Sequence, residues 1–188
     1  MNNQNGIAGT TYASATGNVP WVISRGAEFD VAYQGIPHTT IHLSGAWVDA
    51  FYKEFPDSGK ANELNYPGSP AYVNLTGKVL PGAAKFSLDA GAEYRHPIFS
   101  NLEAHISFDT IYRSTSNLDT TLSEHSWVPG NSITDINVGI GRSDGLFDVS
   151  VVVKNLTNNK VPVTLEWSSY EPAFSQWYGL QVTGHFGK

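Results

Sequence analysis

The chain has 188 residues, enough for one domain, of which 40% are hydrophobic and only 15% charged, against an average of about 25% charged in soluble proteins. A net charge of −6 with eleven scattered Lys and Arg excludes a nucleic-acid surface, which needs clustered cations to meet phosphates. There is no cysteine, so a disulfide framework, a thiolate metal site and a thiol nucleophile are excluded, while the compartment stays open.

The opening residues, MNNQNGIAG, lack the basic n-region and apolar h-region of a secretory signal. No stretch approaches the roughly 18 consecutive apolar residues of a membrane-spanning helix, so any crossing of a membrane must be made by strands. A weak first strand is expected around GIAGTTYASA, residues 6 to 16. Next, Phe29, Val31 and Tyr33 alternate with Glu28, Asp30 and Gln34, and Ile41, Leu43 and Trp47 with His42 and Ser44. In KFSLDAGAEYRH, Phe86, Leu88, Ala90, Ala92 and Tyr94 oppose Lys85, Ser87, Asp89, Gly91, Glu93 and Arg95. In LEAHISFDTIYR, Leu102, Ala104, Ile106, Phe108 and Tyr112 oppose Glu103, His105, Ser107, Asp109 and Arg113. Ile136, Val138 and Ile140 oppose Asp135 and Asn137; Phe147, Val149, Val151 and Val153 oppose Asp148, Ser150 and Lys154. The last strand places Tyr178, Leu180, Val182 and Phe186 on one parity and Gln181, Thr183 and His185 on the other. Period-two alternation of this kind predicts an antiparallel all-β protein of about eight long strands.

The connections alternate as strictly as the side chains. GIPHT at 35 to 39, HPIFSN at 96 to 101 and RSDGL at 142 to 146 read as tight turns, with Asp144-Gly145 suited to a hairpin. Between them lie long connections at about 54 to 83, 116 to 130 and 157 to 175. All tight turns therefore fall at one end of the sheet and all long loops at the other, the layout of an up-and-down transmembrane barrel. Aromatics near strand ends, Tyr33, Tyr94, Tyr112, Tyr178 and Phe186, would form the interfacial girdles. Parity does not say which face is outside: a soluble lipocalin-like barrel has the same alternation with its apolar face inward.

Chemical motifs are few. Carboxylates alternating with apolar residues along strands suit a wetted lumen wall better than acid–base catalysis, which needs a pair in an enclosed pocket, so no enzyme is expected. Of the six His only His38 and His42 have the short H-x-x-x-H spacing, and they border a strand rather than sharing a helix face; no metal or cofactor is expected. His105 and His185 share the polar parity and read as lumen-facing groups. Gly139 and Gly141 precede no helix, so they read as small strand residues rather than a phosphate loop. The sequons at Asn74 and Asn155 are short enough to arise by chance. Ligand-binding candidates sit in the long loops: His125 and Trp127 in SEHSWVPGN, and Glu166, Trp167, Tyr170, Glu171, Phe174 and Trp177 in EWSSYEPAFSQW. Aromatic faces with a few polar groups suit a sugar or an aromatic chelator.

Several of these segments, in order, resemble the C-terminal barrel region of TonB-dependent outer-membrane receptors. RGAEFDVAY (25 to 33) and IHLSGAWVDAFYKEF (41 to 55) are similar to two consecutive strands of that family. AYVNLTGKVLPGAAKFSLDAGAEY (71 to 94) resembles its LP-containing stretch, with Ala84 where Pro is commoner. IYRST, NVGIG, VVVKNLTNNKVP and the closing WYGLQVTGHF follow, so the resemblance covers most of residues 20 to 186. It implies that residues 1–188 are the C-terminal part of a barrel of about 22 strands, with earlier strands, plug domain and coupling segment absent. It further implies a Gram-negative outer-membrane location, a small nutrient ligand such as a siderophore or carbohydrate, and coupling to the TonB complex only through the missing N-terminal region. Tyr178, Leu180, Val182 and Phe186 would form the signal read by the outer-membrane assembly machinery, although Gly187 and Lys188 follow the terminal aromatic. Such a fragment would line a transporter without transporting. An eight-stranded barrel closed on itself, structural or adhesive in role, remains the alternative, since eight strands can enclose a side-chain-filled interior.

Overall fold

A computed structural model describes residues 19, 21–167 and 169–185. The expected first strand at 6 to 16 and the terminal Phe186 lie outside the described residues.

Seven strands form one antiparallel sheet: β1 (Trp21–Tyr33), β2 (Thr39–Glu54), β3 (Phe86–Phe99), β4 (Leu102–Arg113), β7 (Asn131–Arg142), β8 (Phe147–Lys154) and β11 (Trp177–Gly184), in the order β1-β2-β3-β4-β7-β8-β11. Every neighbour in space is the next long strand in the chain, which is the up-and-down topology expected. The long loops carry two short ladders, β5 (Ser116–Asn117) with β6 (Trp127–Val128), and β9 (Thr164–Glu166) with β10 (Ser169–Glu171). No α-helix occurs among the described residues. β2 is 16 residues long and β3 is 14, more than the roughly 9 to 11 that cross a bilayer at a tilt.

The register fixes two faces. Successive cross-strand rows place Leu43, Ala90, Thr110, Thr134 on one side and His42, Gly91, Asp109, Asp135 on the other. Phe29, Val31, Ile106, Val138, Val151 and Leu180 all lie on the first face, and they are 49 to 70% exposed. On the second face the buried groups include the polar His105 and Ser150, 6% and 2% exposed, besides Ala50 and Tyr52 near the end of β2 and Val152 of β8. Glu93 and Arg95 of β3 line one cavity of about 330 Å³ together with His105, Asp148 and Gln181, so residues four strands apart face the same space. A flat sheet would hold them about 19 Å apart. The sheet therefore curls with its polar face inside and its apolar face outward, the opposite of a lipocalin, and that alternative is overturned.

On the outward face the apolar band ends in charge toward the long-loop end. Arg25 donates from Nε and Nη2 to Asp49 Oδ2 at 3.0 and 2.9 Å, and Lys53 Nζ stands 4.5 Å from the Trp21 ring centroid. This is the composition of an interfacial boundary.

The turn expected at HPIFSN shrinks to Ser100 and Asn101, because β3 continues through Pro97 to Phe99. Pro97, which cannot donate to a ladder, sits at a register irregularity where no such bond is needed. In the first turn His38 holds the left-handed backbone conformation, φ 62°, and at RSDGL it is Gly145, φ 74°. Finally, β1 and β11 pair with β2 and β8 alone, and among the described residues no ladder joins β1 to β11. Among the described residues the sheet is therefore an open arc.

Candidate functional site

The inner wall is built from polar side chains that cross their neighbours at glycines. His105 of β4 reaches over Gly139 of β7 and donates from Nε2 to Asp148 Oδ2 of β8 at 2.7 Å. A Cβ at Gly139 would lie 2.6 Å from that nitrogen and 2.5 Å from Ser150 Cβ, so no larger residue fits beneath the ring. The pattern repeats two strands away. His42 of β2 lies over Gly91 of β3, with Nε2 3.3 Å from Asp89 and 3.4 Å from Asp109 of β4. Elsewhere Arg95 pairs with Glu93 and approaches Glu103 at 3.7 Å, and Lys154 donates to Asp135 at 2.7 Å. His185 adds a contact from Nδ1 to Gly145 O at 3.0 Å. The wall thus compensates its charges laterally, as expected of groups lining a wetted lumen.

Above the sheet the loops form a second structure. Residues 55–85 run alongside the end of β2, with Tyr52 N donating to Lys78 O and Leu80 N to Ala50 O at 2.9 and 3.0 Å. They bury Tyr52, Ala61 and Leu75, with Phe55 stacked obliquely on Tyr52 at 5.0 Å. The next loop, 114–130, is organised by the fully buried Asn117, whose Nδ2 donates to Ser123 O at 2.7 Å while Oδ1 accepts from Asp119 N at 2.9 Å. Two bonds tie these loops together: Gly82 N to Asn117 O at 2.7 Å, and Glu124 N to Glu63 Oε1 at 2.9 Å. Between them lies a cavity of about 290 Å³.

The sequence-derived ligand candidates are distributed over this surface, not gathered in one pocket. His125 lies exposed in the 3-10 turn Glu124–Ser126, its N–H donating to Ser123 Oγ at 3.2 Å. Trp127 opens β6, is 45% exposed and lines the inter-loop cavity. Glu166, Tyr170 and Glu171 belong to the β9–β10 hairpin, with Trp167 at its tip. β9 comes within 8 Å, Cα to Cα, of the turn that carries His125. Phe174 is 87% exposed. Trp177 is not in a loop: it is the first residue of β11, and its ring covers Gly179. Of the four residues assigned to an assembly signal, Tyr178, Leu180 and Val182 share the outward face of β11 at 67 to 70% exposure, and Phe186 is not described.

Sequence reading did not single out Glu63, Leu64, Leu75, Lys78 and Val79, which complete the cavity around Trp127. The signal for them was slight: apolar residues within a loop otherwise read only as a connection.

No family model and no curated protein sequence matches the chain. Among solved structures it is similar to the ferric yersiniabactin uptake receptor FyuA from Yersinia pestis, with a TM-score of 0.64 and 12% identity over 86% of this chain and 23% of that one. It is likewise similar to the siderophore receptor PiuA from Acinetobacter baumannii, with a TM-score of 0.65 and 14% identity over 86% of this chain and 21% of that one. At these identities the likeness is one of fold. The chain spans less than a quarter of either receptor, and its fold is the one that the sequence resemblance led one to expect.

Proposed function

We propose that residues 1–188 are the C-terminal wall of a TonB-dependent outer-membrane receptor that binds a small nutrient at its long loops. The observation that carries this reading is the inverted sheet: an apolar face turned outward, a polar face curled inward, and edges at β1 and β11 that are unpaired among the described residues. Free edges in hydrocarbon leave N–H and C=O groups unpaired, so the rest of the wall is assigned to strands outside this chain. Similarity to less than a quarter of two siderophore receptors supports that division.

On this reading the protein lies in the outer membrane of a Gram-negative bacterium, and outer-membrane lipid covers its apolar face. The assembly machinery reads the β11 region. Energy from the TonB complex arrives only through a region these residues do not include, so the chain alone lines a transporter without driving one. Trp127, His125 and the aromatics of 166 to 177 would meet a siderophore or similar solute at the mouth. The fold neighbours are receptors rather than enzymes, in keeping with a wall that binds.

Amide hydrogen exchange in detergent micelles tests the division. The N–H groups on the free edges of β1 and β11 should exchange fast while those of β3, β4 and β7 stay protected. Mutual protection of β1 and β11 would instead favour a small self-closed barrel.

A further inference from the structure

The cavity between the loops 55–85 and 114–130 has the chemistry of a binding site in its own right. Its walls are largely apolar, from Leu64, Leu75, Val79 and Leu122 with the indole of Trp127 on one side, and Lys78, Thr121 and Glu124 add polar groups, so that with Glu63 two carboxylates face the one ammonium of Lys78. About 290 Å³ exceeds the 150 Å³ or so that holds a benzene ring, leaving space for a short chain besides. Glu63 supplies the polar end. Its Oε1 is occupied by the Glu124 N–H, whereas Oε2 is shielded from water and has no hydrogen bond of good geometry. Enclosure works to raise the pKa of this carboxyl, but hydrogen bonds from its own and the Glu124 backbone, a looser one from the Ser123 hydroxyl, and attraction to His125 outweigh it and hold the group ionised. A carboxylate whose second oxygen has no well-aligned donor, next to an indole face in a largely apolar cavity, calls for a donor that is positively charged and attached to something apolar.

We propose that this inter-loop cavity binds a small organic cation, an arylalkyl ammonium, with the ring among Leu64, Leu75 and Trp127 and the ammonium at Glu63 Oε2. The proposal rests on the receptor reading only in treating these loops as the solute-binding surface, and it names the class of solute. It places recognition on 55–85, a segment that carries none of the sequence-derived candidates.

The test is isothermal titration of the refolded full chain in detergent micelles with phenethylammonium chloride and, in parallel, sodium phenylacetate, which has a ring of the same size and the opposite charge. Saturable binding of the ammonium, at least tenfold tighter than any binding of the acid, is expected. Glu63→Gln keeps the acceptor for Glu124 N–H and should weaken the ammonium at least tenfold. Leu64→Arg, at a position 44% exposed, should abolish binding while leaving the strand circular dichroism unchanged. Equal binding of both probes, no saturable binding to a chain with native strand signal, or an unaltered affinity in both variants would overturn the site. Failure of the receptor reading shows separately: a chain that stays soluble without detergent yet retains ammonium selectivity would refute the membrane wall and leave the site standing.

Discussion

Replacing Gly139 by Ala places a methyl group where the His105 ring now lies, 2.6 Å from Nε2 and 2.5 Å from Ser150 Cβ. Neither contact is tolerable, so the ring must swing away and give up its 2.7 Å bond to Asp148. A hydrogen bond to a charged partner contributes about 1.5–3 kcal/mol. Because the Asp148 side chain is 31% exposed and recovers some solvation, about 2 kcal/mol is expected. The same substitution at Gly91 displaces His42, but that side chain is 45% exposed and its carboxylates are 3.3 and 3.4 Å away, so less than about 1 kcal/mol should be lost. Urea unfolding in detergent micelles, followed by tryptophan fluorescence, measures both. In a His105→Ala background the Gly139→Ala penalty should fall to the residue due to Ser150 Cβ, giving a coupling energy of about 1 kcal/mol or more. A larger loss at Gly91 than at Gly139, or additive effects of His105→Ala and Gly139→Ala, would refute the account of glycines as gaps that histidines bridge.

An arginine on the outward face should be costly, and one on the inward face should not. Val138→Arg should destabilise the protein in lipid by about 2–4 kcal/mol, while its neighbour Asn137→Arg costs under about 1 kcal/mol, as measured by urea unfolding in lipid vesicles. Asn117→Ala strands Ser123 O and Asp119 N and should cost about 1–3 kcal/mol in the loop assembly, seen as faster limited proteolysis within 114–130 and unchanged exchange in β3 and β4. Glu63 has a lowered pKa, so its contribution to joining the two long loops is complete above the ordinary glutamate value and fades as pH falls through the lowered one. The Glu124 amide chemical shift should titrate with a midpoint below that ordinary value, and Glu63→Gln should remove the titration.

Much of this architecture is readable in the residues because a membrane wall needs strict two-residue alternation over long strands. KFSLDAGAEYRH and LEAHISFDTIYR announce β3 and β4 with both faces correctly divided. Alternation is equally good for a barrel turned inside out, so the direction of curl had to come from the structure. Strand ends were less legible where function or boundary interrupts the pattern. Arg25 stands on the apolar face because it meets Asp49 above the apolar band, which hides the first half of β1. Ile111 and Ile133, paired on the polar face, blur the junction of β4 and β7 with the loops. The glycine gaps at 91 and 139 are invisible in one strand alone, since their meaning lies in histidines one strand away and carboxylates beyond. The inter-loop cavity is a contact between segments some 50 residues apart with no periodic signal, and residues such as Glu63 acquire their role only through it.

The central claim, that the apolar face meets lipid and the polar face meets water, can be measured directly because the chain has no cysteine. Single Val138→Cys and Asn137→Cys variants, spin-labelled in detergent micelles, report on adjacent residues of one strand. The account predicts that oxygen, which partitions into the apolar phase, relaxes the label at 138, and that a water-soluble nickel chelate relaxes the label at 137. The reverse pattern, with 138 shielded from both reagents, would place the apolar face inside a closed core and contradict the membrane wall.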